Sequence, residues 1–237
     1  MALGWNTLCV ISVVISLVIA AVDEANVPEA GAKKRQSAWC IHESLTTGRA
    51  ITLGSVDADG KSFVSKTIGR IVYSASLRKI LTSTEEIPPT GREIIDKYFD
   101  FPGQAQYTVI NNSSCRKTLL PHPFRPLCVP DNSTMTLIKS YFGVNDQVQF
   151  IQEFMGAIDD IHYRVSFTRI SFVPVFLDIW GARNYRKVFE TQTFYNSSLH
   201  DIPSEVFTPP AICHQVPMTT EVMTENFLED ELKWPFI

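Results

Sequence analysis

One stretch, Ile202-Pro203-Ser204-Glu205-Val206-Phe207-Thr208-Pro209-Pro210-Ala211-Ile212-Cys213, restricts the fold of this chain more than any other. Proline fixes φ and pushes the residue before it toward extended backbone, so the segment is stiff, non-helical and delivers Cys213 to a set position. A segment of this kind anchors a cysteine; it does not place a catalytic group. Four cysteines, Cys40, Cys115, Cys128 and Cys213, lie beyond the leader, with Cys9 inside it. In an oxidising compartment an even count points to two disulfides, and four cysteines allow three pairings that the sequence leaves open. The absence of Cys-x-x-Cys weighs against a redox enzyme or a zinc ribbon.

The compartment follows from two further features. Leu8 to Ala21 is an almost unbroken apolar run ending in small residues, which reads as a signal peptide over residues 1–20, shorter than a membrane span needs. Its first residues lack Lys or Arg, which leaves a signal anchor as the alternative. Asn111, Asn112, Asn132 and Asn196 each head an Asn-x-Ser/Thr sequon, used only on secreted or luminal surfaces. Asn111 and Asn112 are adjacent, so crowding allows one glycan there. Residues 21–35 form a linker or propeptide ending in Lys33-Lys34-Arg35, a processing site or simply a solvated run. The chain is thus expected to be secreted and extracellular, with no transmembrane anchoring. A net charge of −4 argues against nucleic acid as a partner.

Beyond Arg49 the strand signals dominate. Ile51 to Val56 alternates at period two, Asp59-Gly60 is a hairpin turn, and Phe63 to Ile68 resumes the strand character. Further strand candidates are Arg70–Tyr73, Gln104–Ile110, Thr118–Leu120, Met135–Phe142, Gln147–Phe154, Tyr163–Phe172 and Lys187–Phe194. Glu93–Phe99 reads as a short helix. Composition therefore predicts an all-β sandwich or partly open barrel over residues 36–218, followed by an acidic tail at 219–237.

Two blocks carry a resemblance to a known family. One is the Pro-Ser…Phe-Thr-Pro-Pro-x-x-Cys stretch; the other runs from Tyr107-Thr108-Val109-Ile110 through Cys115 to Phe124-Arg125-Pro126-Leu127 and Val129-Pro130-Asp131-Asn132-Ser133-Thr134. In order and spacing they resemble the ependymin family of secreted glycoproteins, across roughly Asp57 to Cys213. The resemblance implies two stacked, curved antiparallel sheets like those of lipoprotein carriers, with strand rather than helix near Glu93. It also implies a Cys115–Cys213 bridge, leaving Cys40 and Cys128 as the second pair. It further implies calcium as a cofactor, homodimers, extracellular-matrix partners and an apolar pocket between the sheets for a hydrophobic, lipid-like molecule.

No residue set recommends catalysis. His42, His122, His162, His200 and His214 are scattered without a metal-ligand spacing, and there is no nucleophile elbow or phosphate loop. Asp57-Ala58-Asp59-Gly60 starts like a calcium loop, but Ile68 stands where the bidentate Glu belongs, so it reads as a turn. Asp159-Asp160 is the better place for calcium, with a solvated turn as its plainer reading. Core packing explains most of Phe150, Phe154, Tyr163, Val165, Phe167, Phe172 and Phe176, and the family resemblance implies that they line its pocket; Tyr163, Val165 and Phe167 share one face at period two. The expectation is a binding protein and no enzyme: a carrier of a hydrophobic molecule, or else a calcium-dependent adhesion or matrix glycoprotein, with a secreted hydrolase as the remote third reading.

Overall fold

A computed structural model describes residues 39–86, 91–120, 122–130, 133–142, 149–183 and 186–219. The leader, the linker with Lys33-Lys34-Arg35, Asn132 and nearly all of the acidic tail lie outside the described residues. Strands β1 (Ser44–Val56), β2 (Ser62–Ser74), β3 (Lys79–Glu86), β4 (Glu93–Asp100), β5 (Ala105–Ile110) and β6 (Ser114–Leu119) form one meander. A second comprises β7 (Thr134–Phe142), β8 (Gln149–Ile158), β9 (Ile161–Thr168), β10 (Pro174–Arg183) and β11 (Arg186–Ser198). β1 pairs antiparallel with β11 and joins the meanders, and β12 (Met218–Thr219) adds a short parallel edge to β6.

The result is the expected all-β, curved, half-open architecture. The two sheets are continuous with each other, as one twelve-stranded ladder ordered β12-β6-β5-β4-β3-β2-β1-β11-β10-β9-β8-β7. Curvature brings Tyr73, Ile80 and Phe99 from β2–β4 into one apolar cluster with Phe154, Tyr163, Val165, Phe167 and Leu177 from β8–β10. We call the side of the sheet bearing this cluster the inner face.

Glu93–Phe99 is strand β4, not a helix. Its register with β3 and β5 supplies ladder partners on both sides, and that pairing overrides the modest helix preference of its Glu and Lys. β3 and β10 were not among the expected strands, and β9 ends at Thr168, leaving Phe172 in the following turn at φ 51°. The Asp59-Gly60 turn forms as expected. Gly60 takes φ 79°, and Asp57 Oδ1 accepts from the backbone N–H groups of Asp59 and Lys61, so this carboxylate is committed to the hairpin.

Candidate functional site

The inner face is where apolar surface concentrates. Period-two alternation sends Tyr163, Val165 and Phe167 to one side of β9, each 0% exposed, and registers them with Leu177 and Ile179 of β10 and Phe154 of β8. Phe154 meets Phe167 edge-on, and Phe167 stacks at 4.2 Å on Phe172 from the turn beyond β9.

Two irregular segments also cover this face. The segment made of Leu120, residues 122–130 and Ser133, hereafter the inner strap, lays Leu120, Leu127 and Val129 onto it, all buried. Trp39 to Ile41 runs beside the strap: Ile41 N–H donates to Leu127 O at 2.8 Å, Val129 N–H donates to Trp39 O at 2.7 Å, and Cys40–Cys128 closes the pair. Trp39 inserts its ring against Phe154 and Phe172.

Two buried tyrosines pin the strap from opposite arms of the sheet. Leu127 N–H donates to the Tyr73 hydroxyl of β2 at 3.4 Å, and Ser133 Oγ hydrogen-bonds the Tyr163 hydroxyl of β9. Burial raises both phenol pKa values above the ordinary value, each partly offset by its hydrogen bond, so both hydroxyls stay neutral donors and acceptors at physiological pH. Between strap and sheet remains a cavity of about 10 Å³, with Ile41 and Leu127 on one side and Leu45, Ile71, Val165 and Phe194 on the other. That is room for about one water, against roughly 300 to 1,000 Å³ for a small-molecule site.

The opposite, outer face carries two different arrangements. Over β2–β4, Phe207 is 2% exposed against Val72 and Leu81, with Ile202 and Tyr98 beside it. The proline segment thus crosses this face as an outer strap, makes short 3-10 turns at Ser204–Phe207 and Ala211–Cys213, and ends in the Cys115–Cys213 bridge to β6. Over β8–β11 a charged group lies on the sheet. Arg164 donates to Asp178 Oδ2, Asp178 Oδ1 accepts from Thr191 at 2.9 Å, and Glu153 lies 3.9 Å from Arg164. The hydrogen bond to Asp178 raises the Arg164 pKa further.

The sequence-predicted residues separate accordingly. Phe154, Tyr163, Val165, Phe167 and Phe172 come together on the inner face. Phe150 is 51% exposed and stands outside that cluster. Phe176 alternates with buried Val175 and Leu177 and therefore faces outward, with the Arg164 guanidinium 5.4 Å over its ring. Both bridges pair as the family resemblance implied. Asp159 and Asp160 form the exposed β8–β9 turn, Asp159 at φ 52°, and no group of three His, Cys, Asp or Glu side chains able to hold a metal occurs among the described residues. Asn111, Asn112 and Asn196 are exposed. Sequence reading missed Trp39, Tyr73 and Leu127. Leu127 and Val129 alternate within the second family block, the signal that could have found the strap.

These features define a disulfide-bridged, open β-sheet domain whose apolar inner face is plugged by its own chain. The ependymin family model matches residues 90–213, more than half of the sequence, and the chain belongs to that family. No curated protein matches it. Among solved structures, it is similar to a LolA superfamily protein from Nitrosomonas europaea (9% identity, 71% of this chain and 91% of that one, TM-score 0.30). It is similar also to an uncharacterized conserved protein from Thermus thermophilus (8% identity, 73% and 91% covered, TM-score 0.41). A third is a beta-barrel-like protein of a domain of unknown function from Brucella abortus (7% identity, 68% and 100% covered, TM-score 0.31).

Proposed function

We propose that this chain is an extracellular binding protein, not an enzyme, which holds an apolar, lipid-like molecule against the inner face in the space its strap now fills. The observation that carries this reading is the covering of the inner face by irregular chain. The strap is held by a few hydrogen bonds and one bridge where a strand ladder would have sealed the face. Displacing Leu127, which shares a cavity with Val165, and Phe124, which packs on Tyr73 and Phe101, opens the apolar cluster of the inner face, and each methylene of an incoming acyl chain buried there contributes about 0.8 kcal/mol to offset the strap's lost contacts. Glycosylation and secretion belong to the same reading, since the bridges need an oxidising compartment.

A second reading is calcium-dependent association with matrix material or with a second copy, in which the exposed Asp159-Asp160 carboxylates supply ligands to an ion shared with a partner; extracellular sites work at dissociation constants of roughly 10⁻⁴ to 10⁻³ M. Native mass spectrometry of the secreted protein with and without a calcium chelator, followed by organic extraction, separates the two. A lipid that leaves on denaturation supports the carrier. A protein that is empty in every preparation, and whose oligomeric state follows calcium, overturns it in favour of the matrix reading.

A further inference from the structure

The β5–β6 hairpin carries the tandem sequon Asn111-Asn112-Ser113-Ser114, and its two asparagines are not equivalent. We propose that Asn112 is the glycosylated residue and that Asn111 is a structural residue of the turn.

Asn111 extends the β4–β5 ladder by one step. Its N–H donates to Ile94 O at 2.8 Å, and its side-chain Oδ1 accepts from Ile94 N–H at 2.8 Å, standing in for a backbone carbonyl. This reciprocal pair fixes the plane of the carboxamide and with it the direction of Nδ2, the atom that an N-glycan would substitute. A sugar there starts alongside β4 and lacks the side-chain torsions that would swing it into solvent. Ser113 closes the turn behind it: its Oγ donates to Ile110 O at 3.1 Å, and its N–H donates to the same carbonyl at 3.0 Å.

Asn112 is the next residue and has none of these ties. Its side chain is exposed and makes no hydrogen bond among the described residues. Both asparagines take positive φ, 50° and 51°, a conformation that Asn tolerates better than other non-glycine residues. Backbone conformation is therefore the same for the two; side-chain engagement separates them. Transfer of the glycan precedes folding, so the hairpin decides which modified chain completes the ladder. A chain carrying the sugar on Asn112 closes the turn unhindered, whereas a chain carrying it on Asn111 sets the sugar against the Ile94 contact. Adjacent positions cannot both accommodate a glycan tree, so the folded protein carries one here.

Enzymatic deglycosylation of the full-length secreted protein in H₂¹⁸O converts each occupied Asn to ¹⁸O-labelled Asp, and peptide fragmentation then reads the position. The label is expected at residue 112 alone; label at 111, at both or at neither overturns the proposal. In the Asn111→Gln variant the Asn112 sequon is intact, so the glycan is expected to persist while the melting temperature falls. Loss of the glycan in that variant, with the chain still secreted, overturns the proposal independently of the map.

Discussion

The two straps lie on opposite faces of one sheet, and they are built on different principles. The outer strap is stiff chain with few anchors: prolines set its path, buried Phe207 ties its middle to the sheet, and Cys115–Cys213 fastens its end. The inner strap has the reverse construction. Leu120, Leu127 and Val129 are part of the main core, and two tyrosine hydroxyls, together with the Cys40–Cys128 bridge to the neighbouring Trp39–Ile41 segment, hold it in register. Loosening the outer strap should therefore be a local event, while loosening the inner strap exposes the centre of the domain.

Truncating one anchor on each side tests this most strongly. Phe207→Ala and Leu127→Ala each remove a nearly fully buried side chain, worth about 3 to 5 and about 2 to 5 kcal/mol respectively by core-truncation experience. The two are similar in size and should differ in reach. Hydrogen exchange is expected to rise over residues 199–213 in Phe207→Ala, and across β2, β9 and β10 in Leu127→Ala. Equal spread in both variants would end the distinction.

The bridges provide the next comparison. Their sequence separations, 88 for Cys40–Cys128 and 98 for Cys115–Cys213, are so close that loop-closure entropy assigns them nearly the same stabilisation, and removal of either should cost about 2 to 5 kcal/mol. Any difference in urea midpoint between the Cys40→Ala/Cys128→Ala and Cys115→Ala/Cys213→Ala proteins then reports packing in place of chain entropy. Only the first pair is expected to increase uptake of a fluorescent fatty-acid probe, because only that bridge restrains the inner strap. A probe that binds both double variants and the native protein equally well removes the strap from the path to the inner face.

The outer strap was far more legible in the sequence than the inner one, for a physical reason. Proline and glycine act through their own backbone, so Pro203, Pro209 and Pro210 announce a stiff anchor, and Asp59-Gly60 announces a turn, without knowledge of what they pack on. Period two likewise places Tyr163, Val165 and Phe167 on one face without knowledge of what they pack on. Trp39 and Tyr73 acquire their roles from contacts between distant segments, and nothing in their local sequence encodes a partner; the alternation of Leu127 with Val129 marks a buried face without saying what it packs on. Phe150 and Phe176 show the same limit: an aromatic in a strand announces burial, but which side it faces depends on register and on the bulge between Pro174 and Phe176. The Arg164–Asp178 pair also needed the β9–β10 register to be seen.

The smallest expected effect separates the straps by titration. Burial raises the pKa of Tyr73 and Tyr163, which pin the inner strap, and of Tyr98, which packs beside Phe207 under the outer one. A raised phenol pKa means that the neutral form is favoured in the folded state. Below about pH 10 the phenols are neutral in both states and stability does not depend on them; as pH rises past that value the unfolded chain ionises first, and stability falls until the raised folded values are reached. The tyrosine contribution to the unfolding free energy should accordingly be flat from neutrality to about pH 10 and decline above it, with a slope of at most about 1.4 kcal/mol per pH unit for each tyrosine. Tyr73→Phe with Tyr163→Phe should lower the plateau by about 1 to 3 kcal/mol, through the Leu127 N–H and Ser133 hydroxyl left unpaired, and should flatten the alkaline decline. Tyr98→Phe, whose hydroxyl pins neither strap, should flatten it by less and leave the plateau nearly unchanged. A plateau unmoved by the double variant would mean that the tyrosine hydroxyls do not hold the inner strap, and that apolar packing alone keeps the face closed.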